Sequence, residues 1–257
     1  MKPLDQCFLY AFIDSAYLHG RDPSELARQL CAGGADLIQL RAKGQPLDEI
    51  RRMASQIAPI IERAGVNLVI NDFPEIAAET GAPFCHLGQE DFFDAGHTHV
   101  RLTSESARGL AQSKTLRDGE AATNLRQVLD SASPLALSQS ASQMPQESVP
   151  LRFGLSSHAP NQAQRAISAG AAYVAVGPVY STATKPGAPA VSLDYVRWAA
   201  ENVKIPWFAI GGIDLKRLDA VLEAGARRVC VVSAILTANV TEACQAFKNR
   251  LLSASRT

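Results

Sequence analysis

The sequence has no excess of charge of either sign. Lysine and arginine together number 25, aspartate and glutamate together number 25, and the formal net charge is zero. A chain without net positive charge is poorly suited to bind a bulk polyanion such as DNA, or an anionic membrane surface. Any anion that this protein binds must therefore be held locally, by a few placed groups.

Cysteine is sparse as well. The five cysteines are scattered, their number is odd, and no CxxC motif occurs. This distribution argues against a disulfide framework and is typical of small buried apolar residues in a reducing compartment. The apolar run near the N-terminus is too short to span a membrane and has no small-residue cleavage site. We therefore expect a cytoplasmic protein without a signal peptide.

The chain is rich in apolar residues, which make up 47% of its 257 positions and suffice for one large core. Short apolar runs without strict alternation recur along it, as in parallel strands that are covered on their outer side. Helical patterns separate most of these runs, and Pro59 should kink or split the helix that contains it. The predicted strands are residues 8–13, 37–40, 68–70, 84–87, 151–155, 173–176, 207–210 and 229–232.

Glycine marks the ends of several predicted helices. Four segments close on Ala-Gly or a near variant just before a strand: CAGGADLIQL, ERAGVNLVI, ISAGAAYVAV and LEAGARRVCVV. Glycine there suits a left-handed helix C-cap. Eight strand–helix units most simply close into a (β/α)8 TIM barrel of the α/β class, a single domain over residues 1–257. An open doubly wound sheet is the alternative, but no GxGxxG follows the first strand.

One segment breaks the strand–helix rhythm. Residues 92–150 are rich in serine, alanine and glutamine and contain at most two amphipathic helical patterns. Residues 131–150 have the composition of a flexible linker. We interpret 92–150 as an insertion in the fourth βα unit that partly replaces the helix of that unit.

Polar residues gather where the predicted strands end, which is where barrels of this kind build their sites. They are Gln39, Arg41 and Lys43 in QLRAK, Asn71 and Asp72 in LVINDF, Gln89, Glu90 and Asp91 in HLGQED, Ser156 in GLSSH, and Thr182, Thr184 and Lys185 in GPVYSTATK. Carboxylates that act together with substrate phosphates are the usual ligands of Mg²⁺. The glycines of AIGGID and the helix start after VVSAI suggest a backbone phosphate site. The sequence therefore predicts two anion sites, one of them with metal.

Seven motifs in this order resemble the thiamine phosphate synthase family, also called thiamine-phosphate pyrophosphorylase: QLRAK, ND, HLGQED, GLSSH, GPVYSTATK, AIGGI and VVSAI. They cover nearly the whole chain except 92–150. The resemblance implies a transferase that condenses 4-amino-2-methyl-5-(diphosphooxymethyl)pyrimidine with a thiazole phosphate, carboxylated or not. Diphosphate would leave first, and the thiazole nitrogen would then capture the pyrimidine-methyl cation.

The resemblance also implies a role for each matching position. Catalysis by charge neutralisation would fall to Arg41, Lys43 and Lys185. Mg²⁺ would be held by Asp72 and Asp91. The pyrimidine diphosphate would be bound by Gln39, Arg41, Lys43, Asn71, Ser156 and Lys185, and the thiazole phosphate by Thr182, Thr184, Gly212, Val232 and Ser233. Two neighbouring positions depart from the family pattern, Phe73 after ND and Ser181 in place of proline.

Other interpretations of the same residues stay open at this stage. Asp91 could cap a helix. A thiazole tautomerase, a non-catalytic paralogue that binds thiamine precursors, and a general sugar-phosphate barrel enzyme are the rival functions. We expect small-molecule substrates as partners, with no nucleic acid and no membrane, and we leave homo-oligomerisation open.

Overall fold

Eight parallel strands close into a barrel in the computed structural model, which describes residues 1–94, 96, 150–182 and 189–255. β1 pairs with β2 on one side and with β8 on the other, so the sheet has no open edge. The predicted barrel is thereby confirmed, and the alternative of an open sheet is wrong. The strands are β1 Leu9–Asp14, β2 Leu37–Arg41, β3 Asn67–Asn71, β4 Phe84–Leu87, β5 Arg152–Ser157, β6 Tyr173–Val176, β7 Trp207–Ile210 and β8 Val229–Val231.

One α-helix follows each strand within the described residues. They are α1 Pro23–Ala32, α2 Leu47–Arg63, α3 Pro74–Thr80, α4 Gln89–Phe93, α5 Pro160–Ser168, α6 Ser192–Asn202, α7 Leu215–Glu223 and α8 Val240–Ala254. Short 3₁₀ turns lie at Leu4–Gln6 and Ser15–Tyr17. None of the helices in the described part of the chain is both long and apolar enough to cross a membrane.

The helix ends follow the glycine pattern of the sequence. The glycines after α1, α2, α5 and α7 all have positive φ angles, at Gly34, Gly65, Gly170 and Gly225. These conformations are open to glycine without steric cost, so the predicted turns back into the sheet are confirmed. The helix that contains Pro59 is continuous, so of the two predicted effects, a kink or a split, the split does not occur. Pro59 and Ser55 are both exposed, so water can reach the carbonyl that proline leaves without a partner.

Side chains that alternate along each strand divide the apolar residues into two cores. On β1, Leu9, Ala11 and Ile13 pack outward against the helices. Tyr10 and Phe12 point into the barrel, where they join a smaller cluster closed by Phe84, Tyr173 and Phe208. The barrel is therefore a packed interior, and the carboxyl ends of its strands form a mouth above that packing.

Candidate active site

The ends of β2 and β3 are joined by their amide side chains. Gln39 is buried on the inner face of β2, and its Nε2 donates to Asn71 Oδ1 at 3.0 Å. Gln39 and Arg41 are two positions apart on β2, so their side chains lie on the same face of the strand. The sequence-predicted residues of QLRAK and ND are thus brought together at one side of the mouth.

Arg41 has a partner that the sequence analysis did not identify. Its Nη1 donates to Asp14 Oδ2 at 2.7 Å, and the Asp14 side chain is fully buried while that of Arg41 is 18% exposed. The other carboxylate oxygen of Asp14 accepts from Ala16 N at 3.0 Å. Asp14 therefore fixes one end of the guanidinium, and the remaining N–H groups can face the mouth. Asp14 ends β1 just as Asn71 ends β3, and that was the available signal.

Asp72 is held at the mouth by its backbone. It has φ 69°, a left-handed conformation, and its N–H donates to the carbonyl of His86 on the neighbouring strand at 2.9 Å. The side chain is only 4% exposed, and Oδ2 lies 4.0 Å from Lys43 Nζ. Lys43 itself is 58% exposed. A buried carboxylate and a solvated cation therefore meet at the ends of two adjacent strands.

Asp91 lies in the first turn of α4. A Cβ built on Gly88 would come within 2.8 Å of Asp91 Oδ2, so the carboxylate folds back over the start of the helix. Gln89 donates through Nε2 to the carbonyl of Ser156 at 2.6 Å and so ties the end of β4 to β5. Glu90 is exposed. The fold thus gives each of the three polar residues of GQED a different environment.

The donor set at the mouth fits Mg²⁺ of the kind that is shared with a substrate. Among the described residues, no group of three or more His, Cys, Asp or Glu side chains is arranged to hold a metal ion. Mg²⁺ is commonly bound through one or two carboxylates, with phosphate oxygens and waters completing the octahedron. Asp72 and Asp91, which follow the neighbouring strands β3 and β4, supply that number of carboxylates.

The described residues among those assigned to the thiazole phosphate follow the ends of β6, β7 and β8. Gly212 has φ 63°, and a Cβ on it would come within 2.8 Å of the carbonyl oxygen of Ser181. Glycine is required there because the backbone after β7 approaches the segment that leads to Thr182. Val232 is half-buried and Ser233 exposed. Thr184 and Lys185 lie outside the described residues, so their assignments stay predictions.

Ser156 is connected to the barrel interior by a histidine. His86 Nε2 lies 3.0 Å from Ser156 Oγ, and His86 Nδ1 lies 3.2 Å from the hydroxyl of Tyr173. Burial raises the pKa values of Tyr10 and Tyr173 well above the ordinary tyrosine value. No role for Tyr10, Tyr173 or His86 is predicted from the sequence, since a tyrosine inside a strand is most often a packing residue.

The comparisons with known proteins agree with one another. The sequence model of the family described as thiamine monophosphate synthase matches residues 9–123 and 138–235. A thiamine-phosphate synthase of Thermus thermophilus is 40% identical over 222 residues, which are 86% of this chain and 84% of that one. The thiamine-phosphate synthase of Acidothermus cellulolyticus is 37% identical over 250 residues, 96% of each chain.

A solved structure supports the fold independently. The thiamine phosphate pyrophosphorylase from Pyrococcus furiosus superposes with a TM-score of 0.70 at 22% identity, and the match covers 98% of this chain and 99% of that one. The family match also includes most of the predicted insertion at 92–150. Within that segment, only residues 124–137 lie outside the match.

Proposed function

This chain belongs to the thiamine monophosphate synthase family, and on that premise we propose which residues at the barrel mouth bind the substrates and which stabilise the leaving group. The protein is a transferase, a thiamine-phosphate synthase. It condenses the pyrimidine methyl diphosphate with a thiazole phosphate and releases diphosphate. This chemistry needs no nucleophilic side chain, because the thiazole nitrogen is the nucleophile and diphosphate is the leaving group.

The work of the protein is to stabilise charge on that leaving group. Preorganised cations aimed at developing negative charge lower a barrier without having to reorganise. We assign this role to Arg41 and Lys43, and Asp14 prepares Arg41 for it by fixing one end of the guanidinium. Lys185 keeps the same assignment by resemblance. Gln39, Asn71 and Ser156 would bind the rest of the pyrimidine diphosphate.

Asp72 and Asp91 would hold Mg²⁺. When bound, the ion supplies Lewis-acid neutralisation of the diphosphate oxygens. Support comes from the buried carboxylate of Asp72 beside Lys43 and from the number of carboxylates at these two strand ends. Thr182, Thr184, Gly212, Val232 and Ser233 would hold the thiazole phosphate on the other side of the mouth. The site must also exclude water, which would otherwise capture the pyrimidine-methyl cation.

The observation that carries this division is the approach of Lys43 Nζ to Asp72 Oδ2, at 4.0 Å, across neighbouring strand ends. This contact places Lys43, the proposed cation for the leaving group, beside Asp72, the proposed ligand of Mg²⁺. The test is an assay with both substrates and Mg²⁺ that scores thiamine phosphate and diphosphate separately. We expect equal amounts of the two products. When Mg²⁺ is chelated, we expect neither product to form.

The same assay separates the rival functions. An isomerised thiazole carboxylate without release of diphosphate would identify a tautomerase. Binding of both substrates without any product would identify a non-catalytic paralogue. Full activity after exhaustive chelation would contradict the Mg²⁺ assignment.

A further inference from the structure

A line of polar side chains crosses the barrel beneath the mouth, with one residue from each of β1 to β6. The contacts run from Asn71 Oδ1 to Gln39 Nε2 at 3.0 Å, from Gln39 Oε1 to Tyr10 OH at 2.5 Å, from Tyr10 OH to Tyr173 OH at 2.9 Å, from Tyr173 OH to His86 Nδ1 at 3.2 Å, and from His86 Nε2 to Ser156 Oγ at 3.0 Å. We call these six residues the relay. Both of its ends, Asn71 and Ser156, are residues assigned to the substrate.

The centre of the relay is inaccessible from the mouth. Tyr10 is 1% exposed and Tyr173 is fully buried. Gly154 makes room for the second ring, because a Cβ on it would lie 2.0 Å from Tyr173 Cζ. Burial holds the pKa values of both phenols far above neutral pH, so each keeps one proton to donate. Neither tyrosine can act on a ligand except through its neighbours.

Counting protons gives the relay a direction. Tyr10 donates its single proton to Gln39 Oε1, so Tyr173 must donate to Tyr10. The proton of Tyr173 is then used, and His86 must donate from Nδ1. A neutral imidazole carries one N–H, so Nε2 of His86 accepts the proton of Ser156. In this direction the hydroxyl of Ser156 donates its only proton to His86, and it can act only as an acceptor toward the mouth.

A diphosphate requires the opposite direction. Phosphate oxygens accept hydrogen bonds, so Ser156 serves a diphosphate only by donating its own proton. His86 must then carry its proton on Nε2 and accept at Nδ1 from Tyr173. The relay permits this, since each phenol can donate to its other neighbour and the amides of Gln39 and Asn71 can both turn over. Gln39 Nε2 then donates to Tyr10, and Asn71 Nδ2 donates to Gln39 Oε1. Both directions hold the same number of protons, so the reversal neither takes up nor releases any.

We propose that Tyr10, Tyr173 and His86 are positioning residues for Ser156, and that they act as one relay whose direction reverses when an anion occupies the mouth. The proposal rests on the assignment of Ser156 to the pyrimidine diphosphate. It explains why a hydrogen-bonded tyrosine pair lies among the aromatic and aliphatic side chains of the barrel interior. It also links the two substrate-binding ends of the relay without any movement of the backbone.

The direction can be measured directly on the imidazole. Nitrogen-15 spectra of histidine-labelled protein distinguish an Nδ1–H from an Nε2–H tautomer, and they distinguish both from an imidazolium, which carries a proton on each nitrogen. The His86→Asn variant identifies the His86 signals among those of the five histidines. We expect Nδ1–H in the free protein and Nε2–H after addition of inorganic diphosphate with Mg²⁺. A tautomer that is the same in both states, or one that never responds to diphosphate, overturns the proposal.

Kinetics test whether the buried tyrosine acts through Ser156. Tyr173→Phe removes one hydroxyl that no ligand can reach, and we expect the KM for the pyrimidine diphosphate to rise roughly 3- to 10-fold, the value of one hydrogen bond. The KM for thiazole phosphate should stay unchanged. In a Ser156→Ala background the same substitution should add nothing, because its effect passes through that hydroxyl.

Tyr195→Phe is the matched control. Its hydroxyl is also buried, bonded to Ser157 Oγ at 2.5 Å and to the carbonyl of Ala159 at 2.9 Å, next to the relay but outside it. Equal kinetic effects of the two tyrosine variants, or full additivity with Ser156→Ala, would show a merely structural role. If the wild-type protein makes no thiamine phosphate, the proposed function fails, and the tautomer measurement still decides the relay.

Discussion

Asp72 and Asp91 reach the mouth in different ways. Asp72 is fixed by a left-handed backbone and a strand–strand hydrogen bond. Asp91 lies in the first helical turn, where a carboxylate also interacts favourably with the helix N-terminus. A metal ligand and a helix cap would therefore place the Asp91 carboxylate similarly, and measurements of Mg²⁺ dependence separate the two roles.

Asp72→Asn and Asp91→Asn should each raise the Mg²⁺ concentration needed for half-maximal rate. Each substitution keeps the size of the side chain and removes one negative charge, and the loss of one charge-stabilising group typically lowers kcat roughly 10²- to 10³-fold. The double variant should fall far short of additivity, because both residues would act through one ion. Glu90→Gln is the adjacent control and should cost much less. If both aspartate variants turned over like the wild-type protein at limiting Mg²⁺, Asp91 would be a helix cap and not a metal ligand.

Asp14→Asn should weaken the grip on diphosphate although Asp14 itself is fully buried. The substitution removes the charge that holds Arg41 at 2.7 Å, and a misplaced guanidinium should raise the KM for the pyrimidine diphosphate roughly tenfold. Removing one partner of a buried pair also destabilises the fold, typically by about 3–5 kcal/mol. Steady-state kinetics and urea unfolding measure the two effects.

Asp219→Asn provides the comparison for Asp14. Asp219 Oδ1 lies 2.6 Å from Arg250 Nε, but both side chains are about half exposed. An exposed pair contributes only about 0–1 kcal/mol, so this variant should unfold nearly like wild type and keep its KM. If the Asp14→Asn and Asp219→Asn proteins had the same KM for the pyrimidine diphosphate, Asp14 would have no role in positioning Arg41.

Among the described elements, the fourth βα unit has the shortest helix. α4 has five residues, while α2 has 17. Its last two residues, Phe92 and Phe93, are nonetheless part of the outer core, and the guanidinium carbon of Arg165 lies 3.7 Å from the centre of the Phe93 ring. The barrel therefore continues through the first two positions of the predicted insertion. Any test of that segment has to leave both phenylalanines in place.

Replacing residues 97–148 with a short Gly/Ser linker should leave the fold intact. The reason is the Ser/Ala/Gln composition of the segment and the tolerance of barrels for changes in the loops that follow strands. Thermal unfolding and turnover of the shortened protein give the answer. Loss of folding would make the segment part of the core, and a folded but inactive protein would identify it as a lid over the site.

At the scale of the whole molecule, one buried acid joins the beginning and the end of the chain. Asp36, just before β2, forms ion pairs with Lys2 and with Lys248 of α8. It also accepts from the backbone N–H groups of Phe8 and Leu9 at 2.8 and 3.0 Å. This cluster closes the barrel at the end opposite the mouth, where stability rather than chemistry is expected.

The stability of the barrel should depend on the charge of Asp36 in acid. Burial by itself would raise the pKa of Asp36, but the hydrogen bonds from Lys2, Lys248 and the two backbone N–H groups hold it below its ordinary value of 3.8. A carboxyl with a lowered pKa stabilises the fold above its unfolded pKa, and this contribution is lost as the pH falls through the folded pKa. Asp36→Asn should be less stable than wild type by about 3 kcal/mol at neutral pH.

Urea unfolding over a range of pH measures this difference. It should be constant at neutral and weakly acidic pH and should shrink as the pH falls below about 4. Asp5→Asn, at an exposed carboxylate on the same end of the barrel, should change stability by less than about 0.5 kcal/mol. A difference for Asp36→Asn that persists undiminished in acid would assign its effect to packing rather than to charge.

The sequence by itself determined the features that depend on local structure. Apolar runs predicted all eight strands to within two residues, and four Ala-Gly endings predicted the left-handed turns after their helices. Both signals are local, since a run of apolar side chains and the φ angle of one residue are properties of the immediate chain. The polar residues at the strand ends could be identified for the same reason. Their positions also predicted that Gln39, Asn71 and Asp72 lie together at the mouth of the barrel.

Only the tertiary structure decided which polar groups become partners. Asp14 and Arg41 are 27 residues apart, and Tyr10 and Tyr173 are 163 residues apart. Their contacts depend on which strands pair, on where each inward side chain stands, and on the closure of β1 against β8. A tyrosine on a strand has the same local pattern whether it packs against apolar rings or meets another hydroxyl across the barrel. Closure of the sheet makes that choice, because it brings residues from distant parts of the chain within hydrogen-bonding distance.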